Sequence, residues 1–300
     1  MRKPTSPRGS NVTAKGTKPA EKRQPRHHRA AQADAARHAA RVASKNQKRT
    51  AEGIATPSQQ KKEGRWVVGI HSCREVFRMR PKAIVELWLR NDFERSEDLN
   101  DFALQARKHS LQVQERTPPQ LDAVGHGNQG VVLRVTEDPK IDWKALESDE
   151  KSIILVLDGL EDPQNLGSIL RTAWLAGVKG ILIPEDRAVG LTTSVCKIAS
   201  GGAEHVAVER HTQFAQVFKR LKDLGFWIYG LAEKGQQTPW DLKMSEKVVW
   251  VIGAEDTGIR ITTERICDEL IRLPQVKTGS SYNASVATAM ALTETIRQHS

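Results

Sequence analysis

The 300-residue chain has only three cysteines, Cys73, Cys196 and Cys267, far apart and without a CxxC pair. That excludes a disulfide scaffold and a cysteine-based zinc site, and it fits a reducing cytoplasm. No apolar run approaches the roughly 18–20 residues that span a bilayer, and the N-terminus lacks the apolar core of a signal peptide. Aromatic residues make up only 5% of the chain, and the first 64 positions contain no Phe, Trp or Tyr. Those positions also have almost no large aliphatics, and they hold five of the 13 prolines. They cannot bury enough surface to offset their ordering entropy, so residues 1–64 read as a disordered tail.

What the tail does contain is positive charge. It carries 16 Lys/Arg against four Asp/Glu, a net of +12 in a chain whose formal total is +10, so residues 65–300 net −2. Arg2, Lys3, Arg8, Lys22, Arg23, Arg26, Arg29, Lys48 and Arg49 form a tethered polycation suited to phosphate backbones through counterion release. The plainer alternative is a solubilising or targeting extension. Ala30 to Ala43 is alanine-rich enough to become helical against RNA, and His27-His28 belongs to the basic run rather than to a metal site.

The remainder has the ordinary 38% hydrophobic and 27% charged content of a soluble protein and the length of about two folded units. In residues 65–136, strands are expected at Trp66–Ile70, Ala83–Leu89 and Gln129–Val135, and helices at Cys73–Met79 and Leu99–His109. Residues 137–150 (EDPKIDWKALESDE) read as a polar linker. In residues 151–300, strands at Ile153–Leu157, Gly180–Ile183, His205–Val208, Phe226–Leu231, Val248–Ile252 and Leu270–Leu273 alternate with helices. The helices are Leu166–Ala176, Thr193–Ala199, Gln213–Leu224 and Asn283–Gln298. Alternation of this kind builds an α/β fold with a parallel sheet, whose ligands bind beyond the carboxyl ends of the strands.

One motif misleads. Gly125-His126-Gly127-Asn128-Gln129-Gly130 satisfies GxGxxG, but a strand follows it rather than the helix that would receive a pyrophosphate. It reads as a mobile turn, and a dehydrogenase is excluded with it.

Three strand ends carry unusual polar residues. Asn165, a candidate N-cap, precedes Arg171 in a mostly apolar helix, where a guanidinium needs an anion nearby; a structural ion pair is the simple alternative. Gly253-Ala254-Glu255-Asp256-Thr257-Gly258 brackets two acids with glycines, as a ligand loop or a plain turn would. Ser281-Tyr282-Asn283-Ala284-Ser285 opens a helix of small residues, with Ser281 a candidate cap.

Together these segments resemble the SpoU (TrmH-like) class of SPOUT methyltransferases, whose patterns are N-x-G-x-I-x-R-T-A, G-x-E-x-x-G and S-x-N-x-S. The resemblance covers essentially all of residues 151–300. Residues 65–136 resemble the L30/L7Ae-like substrate-binding module of the ribosomal-RNA 2′-O-ribose methyltransferases, through Gly69-Ile70-His71-Ser72 and Gln129-Gly130-Val131. Asn128 stands where that module usually has His. The resemblance implies a C-terminal SPOUT domain with a deep trefoil knot, a homodimer, and S-adenosylmethionine as cofactor. It places the cofactor near Leu231, Gly253, Ile271, Leu273, Ser281 and Asn283. It implies catalytic roles for Arg171 as a clamp on substrate phosphate and oxyanion, Asn165 as an orienter, Glu255 as support for the loop and Arg171, and Ser281 and Asn283 as positioners. No metal is required.

The expected activity is methyl transfer to a ribose 2′-hydroxyl of structured RNA, foremost 23S ribosomal RNA. A transfer-RNA enzyme is the near alternative, disfavoured because that class usually lacks the first module. A non-catalytic ribosome-assembly factor is the distant one, disfavoured by the intact polar set. Deleting residues 1–64 is expected to flatten the salt dependence of RNA binding, lowering the slope of log K against log [salt] by about two or more. Titrations at several salt concentrations check this; an unchanged slope would mean the tail is no RNA arm.

Overall fold

The computed structural model describes residues 64–277 and 279–300. The expectations for residues 1–63, including the tail, Ala30–Ala43 and His27-His28, lie outside them.

The first lobe opens with β1 (Arg65–Val68) and α1 (Ile70–Met79), followed by β2 (Ile84–Arg90) and α2 (Glu97–Lys108). Ser96 caps α2, and Leu99, Phe102, Ala103 and Ala106 form its buried face. Next come β3 (Val113–Arg116), α3 (Pro118–Asp122) and β4 (Val131–Val135). The strand order is β1-β4-β2-β3, with β2 and β3 parallel and the other pairs antiparallel. Neither β3 nor α3 is expected from sequence. The edge strand VQER has one apolar residue in four, and α3 is only five residues long.

The expected linker is partly structured. Residues Trp143–Ser148 form α4, capped by Asp142, and Ile141 and Leu146 are buried in the core of the following lobe. Gly180 makes room for Ile141: a β-carbon there would lie 2.5 Å from the Ile141 side chain.

The second lobe continues with β5 (Ser152–Asp158), α5 (Pro163–Leu175), β6 (Gly180–Pro184), α6 (Thr193–Ala199), α7 (Gly202–His205) and β7 (Ala207–His211). It ends with α8 (Phe214–Asp223), β8 (Trp227–Leu231), β9 (Lys247–Gly253), α9 (Ile261–Glu264), β10 (Glu269–Ile271) and α10 (Ala284–His299). All pairings are parallel, in the order β10-β8-β9-β5-β6-β7. Every residue of β5 is buried, as a central strand covered on both faces requires. Ile153, Leu155 and Leu157 join the core under α5, α6 and α10, while Ile154 and Val156 join Phe218 and Leu221 of α8 on the other face.

The chain winds outward from β5 through β6 to β7, then crosses to β8 and returns to pair β9 with β5. The order reverses between β5 and β9, and the crevice beyond the carboxyl ends of such a pair is where an open α/β sheet binds ligands.

Two local readings change. α5 begins at Pro163 and is capped by Asp162, whose side chain accepts from the Gln164 N–H, so Asn165 sits inside the first turn rather than at the cap. α10 is capped by Asn283, not Ser281. The GxGxxG turn is pinned rather than loose. Asn128 accepts from Gly130 N–H (2.9 Å) and donates to Asp122 (2.8 Å), Gln129 accepts from Ile70 N–H (3.1 Å), and Lys197 donates to the His126 carbonyl (3.1 Å).

Trp250 is fully buried; its indole N–H donates to Thr295 (2.9 Å) and its ring lies 5.2 Å from Tyr229. Trp250→Ala is expected to cost about 3–5 kcal/mol, read as a lowered urea midpoint.

Candidate active site

The three polar segments meet at the carboxyl ends of β5 and β9. Asn165 is 3% exposed and donates from Nδ2 to Glu255 Oε1 (3.0 Å). Asn283 Nδ2 donates to the same oxygen (2.6 Å) and to Asn165 Oδ1 (2.8 Å). The Ala284 N–H donates to Glu255 Oε1 as well (3.3 Å). One carboxylate oxygen therefore gathers three donors from two helix starts. Asn283 is fully committed: its Oδ1 accepts from Ser285 N–H (3.0 Å) and Val286 N–H (3.4 Å) while its amide faces the carboxylate. Among the described residues, Glu255 Oε2 has no partner.

The loop that carries Glu255 folds back on β9, with Ala254 and Gly258 exchanging backbone hydrogen bonds of 2.9 and 3.2 Å. A β-carbon on Gly253 would lie 2.1 Å from the Gly258 backbone, so only glycine permits the turn. Beside it Asp158, buried at the end of β5, accepts from the Arg260 backbone N–H (3.0 Å) and Nε (2.6 Å).

Against this network lies a cavity of about 320 Å³, in the size range of small-molecule sites. Five residues expected to hold a cofactor line it: Leu231, Gly253, Ile271, Leu273 and Ser281. Asn283 does not; it stands behind Glu255. The sequence reading missed Glu233, Ile252, Thr257, Tyr282 and Ala287. Of these Thr257 and Tyr282 stand inside the glycine-bracketed loop and the Ser281–Ser285 segment already singled out, and Ala287 is the small residue one turn into a small-residue helix. A second cavity of about 650 Å³ lies across the same loop and shares Ala254, Glu255 and Thr257 with the first, adding Asp158, Asn165, Asp186 and Arg187.

Arg171 stands apart. It is exposed, lines neither cavity, and has no hydrogen-bond or ion-pair partner among the described residues. The simple alternative of a structural ion pair is not found for it among the described residues, and Glu255 spends its bonds on Asn165, Asn283 and Ala284. Helix geometry explains this, because six residues of α5 separate Asn165 from Arg171, about 9 Å of rise and a different face.

Burial pushes the Cys196 thiol up to about 11, that of Cys267 to about 12, and that of Cys73 well above its ordinary value. All three stay protonated at neutral pH, so none serves as a thiolate nucleophile. Among the described residues no group of three His, Cys, Asp or Glu is placed to hold a metal ion.

Residues 152–293 match the SpoU rRNA methylase family, and residues 66–140 match the family described as RNA 2′-O ribose methyltransferase substrate binding. The 23S rRNA (guanosine-2′-O-)-methyltransferase RlmB of Photobacterium profundum is 34% identical over 239 residues, covering 77% of this chain and 97% of its own length. The chain belongs to the SpoU rRNA methylase family. The RlmB enzyme of Nitrosomonas europaea, another relative, is 36% identical over 78% of this chain and 92% of its own. The SpoU methyltransferase AviRb of Streptomyces viridochromogenes, in complex with AdoMet, shares the fold. It has a TM-score of 0.68 at 20% identity, over 78% of this chain and 89% of AviRb. The polar network depends on Glu255. Glu255→Ala strands two amides and a backbone N–H, and is expected to cost about 1–3 kcal/mol in chemical denaturation.

Proposed function

We propose that this protein transfers a methyl group from S-adenosylmethionine to the 2′-hydroxyl of a guanosine in 23S ribosomal RNA. The observation that carries the reading is the carboxylate of Glu255, which joins all three strand-end segments at the mouth of a cavity. The relatives that support it are RlmB enzymes at 33–36% identity over more than nine-tenths of their length.

The lining fits the cofactor. Leu231, Ile252, Ile271 and Leu273 offer apolar walls for an adenine, and Glu233 and Glu255 offer negative charge to a cationic sulfonium. When bound, the sulfonium supplies a methyl already activated for displacement. Leu231, Gly253, Ile271, Leu273 and Ser281 hold it, and Asn283 fixes the helix start behind it.

A ribose 2′-hydroxyl is a poor nucleophile at neutral pH, so alignment is the main task and contributes roughly 7–11 kcal/mol. Glu255 lines both cavities and Asn165 is bonded to it, so the pair orients the ribose at their boundary, where its 2′-oxygen reaches the methyl. Arg171, without an ion-pair partner among the described residues and lining neither cavity, clamps a substrate phosphate and acts on the developing negative charge through it. A guanidinium with a pKa above about 12 is unsuited to accept the proton, which passes to phosphate or water.

The same reading assigns residues 65–136 as an L30/L7Ae-like RNA-recognition domain, 137–150 as the connection, 151–300 as the SPOUT domain, and 1–64 as a basic RNA arm, in a cytoplasmic enzyme. A trefoil knot belongs to this reading through the match of residues 152–293 to the SpoU family. A homodimer is supported by Leu175 on α5 and Val286 and Ile296 on α10, large apolar residues left exposed. No helix among the described residues is long and apolar enough to cross a membrane.

Arg171→Ala is expected to abolish 2′-O-methylation of a ribosomal-RNA transcript while calorimetry still detects S-adenosylmethionine binding. Near-normal turnover refutes the assignment.

A further inference from the structure

The two lobes meet along a seam that is polar and mostly buried. Glu204 on α7, whose side chain is fully buried, accepts a forked pair of hydrogen bonds from Arg65 of β1 (2.9 and 3.1 Å) and pairs with Arg80 just beyond α1. Arg65 also reaches Asp138 (2.6 Å) and the Cys196 sulfur (3.0 Å), and Ser72 of α1 donates to the Cys196 carbonyl (3.1 Å). A fork of this kind fixes orientation as well as distance.

One residue of this seam touches both sides. His205 Nε2 lies 2.7 Å from Glu75 Oε2 on α1, and the His205 ring stacks on Trp174 of α5 at 4.2 Å with planes 12° apart. Trp174 is three residues beyond Arg171, adjacent on the helix surface. The backbone of α7 rests on the same place. A β-carbon on Gly202 would lie 2.6 Å from the Leu170 carbonyl and 3.0 Å from the Arg171 nitrogen, and one on Gly201 would lie 2.7 Å from Glu75. Glycine at both positions lets α1, α7 and the Arg171 turn of α5 close together.

We propose that His205 is a positioning residue: it ties α1 of the first lobe to the turn of α5 that bears Arg171, so that RNA held by the first lobe meets that guanidinium in register. The inference rests on the function proposed above. The cofactor cavity plays no part in it, since none of Glu75, Trp174 or His205 lines that cavity. Loosening the tie therefore harms RNA turnover and spares cofactor binding. A displacement of about 1 Å between reacting groups can cost about 100-fold in rate.

The test uses the full chain with a ribosomal-RNA transcript, comparing wild type with His205→Ala, Glu75→Ala, Glu75→Gln and Arg171→Ala. His205→Ala and Glu75→Ala are expected to lower kcat/KM for RNA about 10- to 100-fold, with the Kd for S-adenosylmethionine within about twofold of wild type. Glu75→Gln keeps an acceptor for the ring and is expected to retain most turnover. Glu75→Ala, on the half-buried face of α1, gives the same comparison if His205→Ala does not fold. Wild-type turnover in both alanine variants overturns the proposal, as does cofactor affinity falling in step with RNA turnover, which marks general damage. An inactive wild type or an active Arg171→Ala enzyme instead brings down the functional reading, so the two failures are told apart in one assay.

Discussion

A single carboxylate oxygen holds the site together. Glu255 Oε1 accepts from Asn165, Asn283 and the Ala284 backbone, groups that lie 90, 28 and 29 positions away along the chain. Loops at sheet edges are ordinarily mobile and variable, and they work as binding elements only when a rigid frame positions them. Here the frame reaches the loops through this oxygen. Two of its donors belong to the first turns of α5 and α10, so the helices and the Glu255 loop are set relative to one another by the same three bonds. The second oxygen has no partner among the described residues, which keeps an acceptor at the boundary between two cavities.

That oxygen arrives where it does because of the sheet. β5 is buried along its whole length and β9 pairs with it over seven residues, from Ser152–Lys247 to Asp158–Gly253. The reversal of strand order opens a crevice at the end of the pair. Asp158 and Gly253 are the last register partners, and each has a structural duty there: Asp158 anchors Arg260, and Gly253 lets the loop fold flat on itself. The cofactor cavity on one side of this loop and the second cavity on the other share only residues of the turn.

Much of this was legible in the residues. Apolar runs located five of the six strands of the second lobe to within two residues, because a covered parallel strand is a short continuous apolar run with few alternatives; the sixth, expected at His205–Val208, is β7 at Ala207–His211, and His205 instead closes the short helix α7. Three segments that each look like an ordinary turn gained meaning through their order and their shared position at strand ends. What escaped was decided by tertiary contacts. Ile141 and Leu146 sit in a charged stretch, and nothing local reveals that Gly180 leaves a slot for one of them. Asn165 looks like a cap because Asn favours caps, but Asp162-Pro163 is the stronger start: its carboxylate takes the Gln164 N–H and its proline fills the first helical position. The lining residue Glu233 comes from a connection without periodicity, and only the folded chain brings it to the cavity.

The isolation of Arg171 then becomes informative. A guanidinium that balanced the Glu255 network would be neutralised by it and would have little attraction left for a polyanion. Arg171 instead stands exposed, without a partner among the described residues, a helix turn and a half from Asn165 and beside the seam with the first lobe. In that place its backbone is held by packing, since α7 presses on the Leu170–Arg171 backbone through Gly202. On the function proposed above, cofactor capture and RNA capture fall to different parts of the fold. The first would be built from the carboxyl ends of β8, β9 and β10, and the second from an exposed guanidinium near the surface where the lobes join. A site divided in this way would hold its cofactor before any RNA arrives, and a phosphate backbone would supply the counter-charge that the described residues do not.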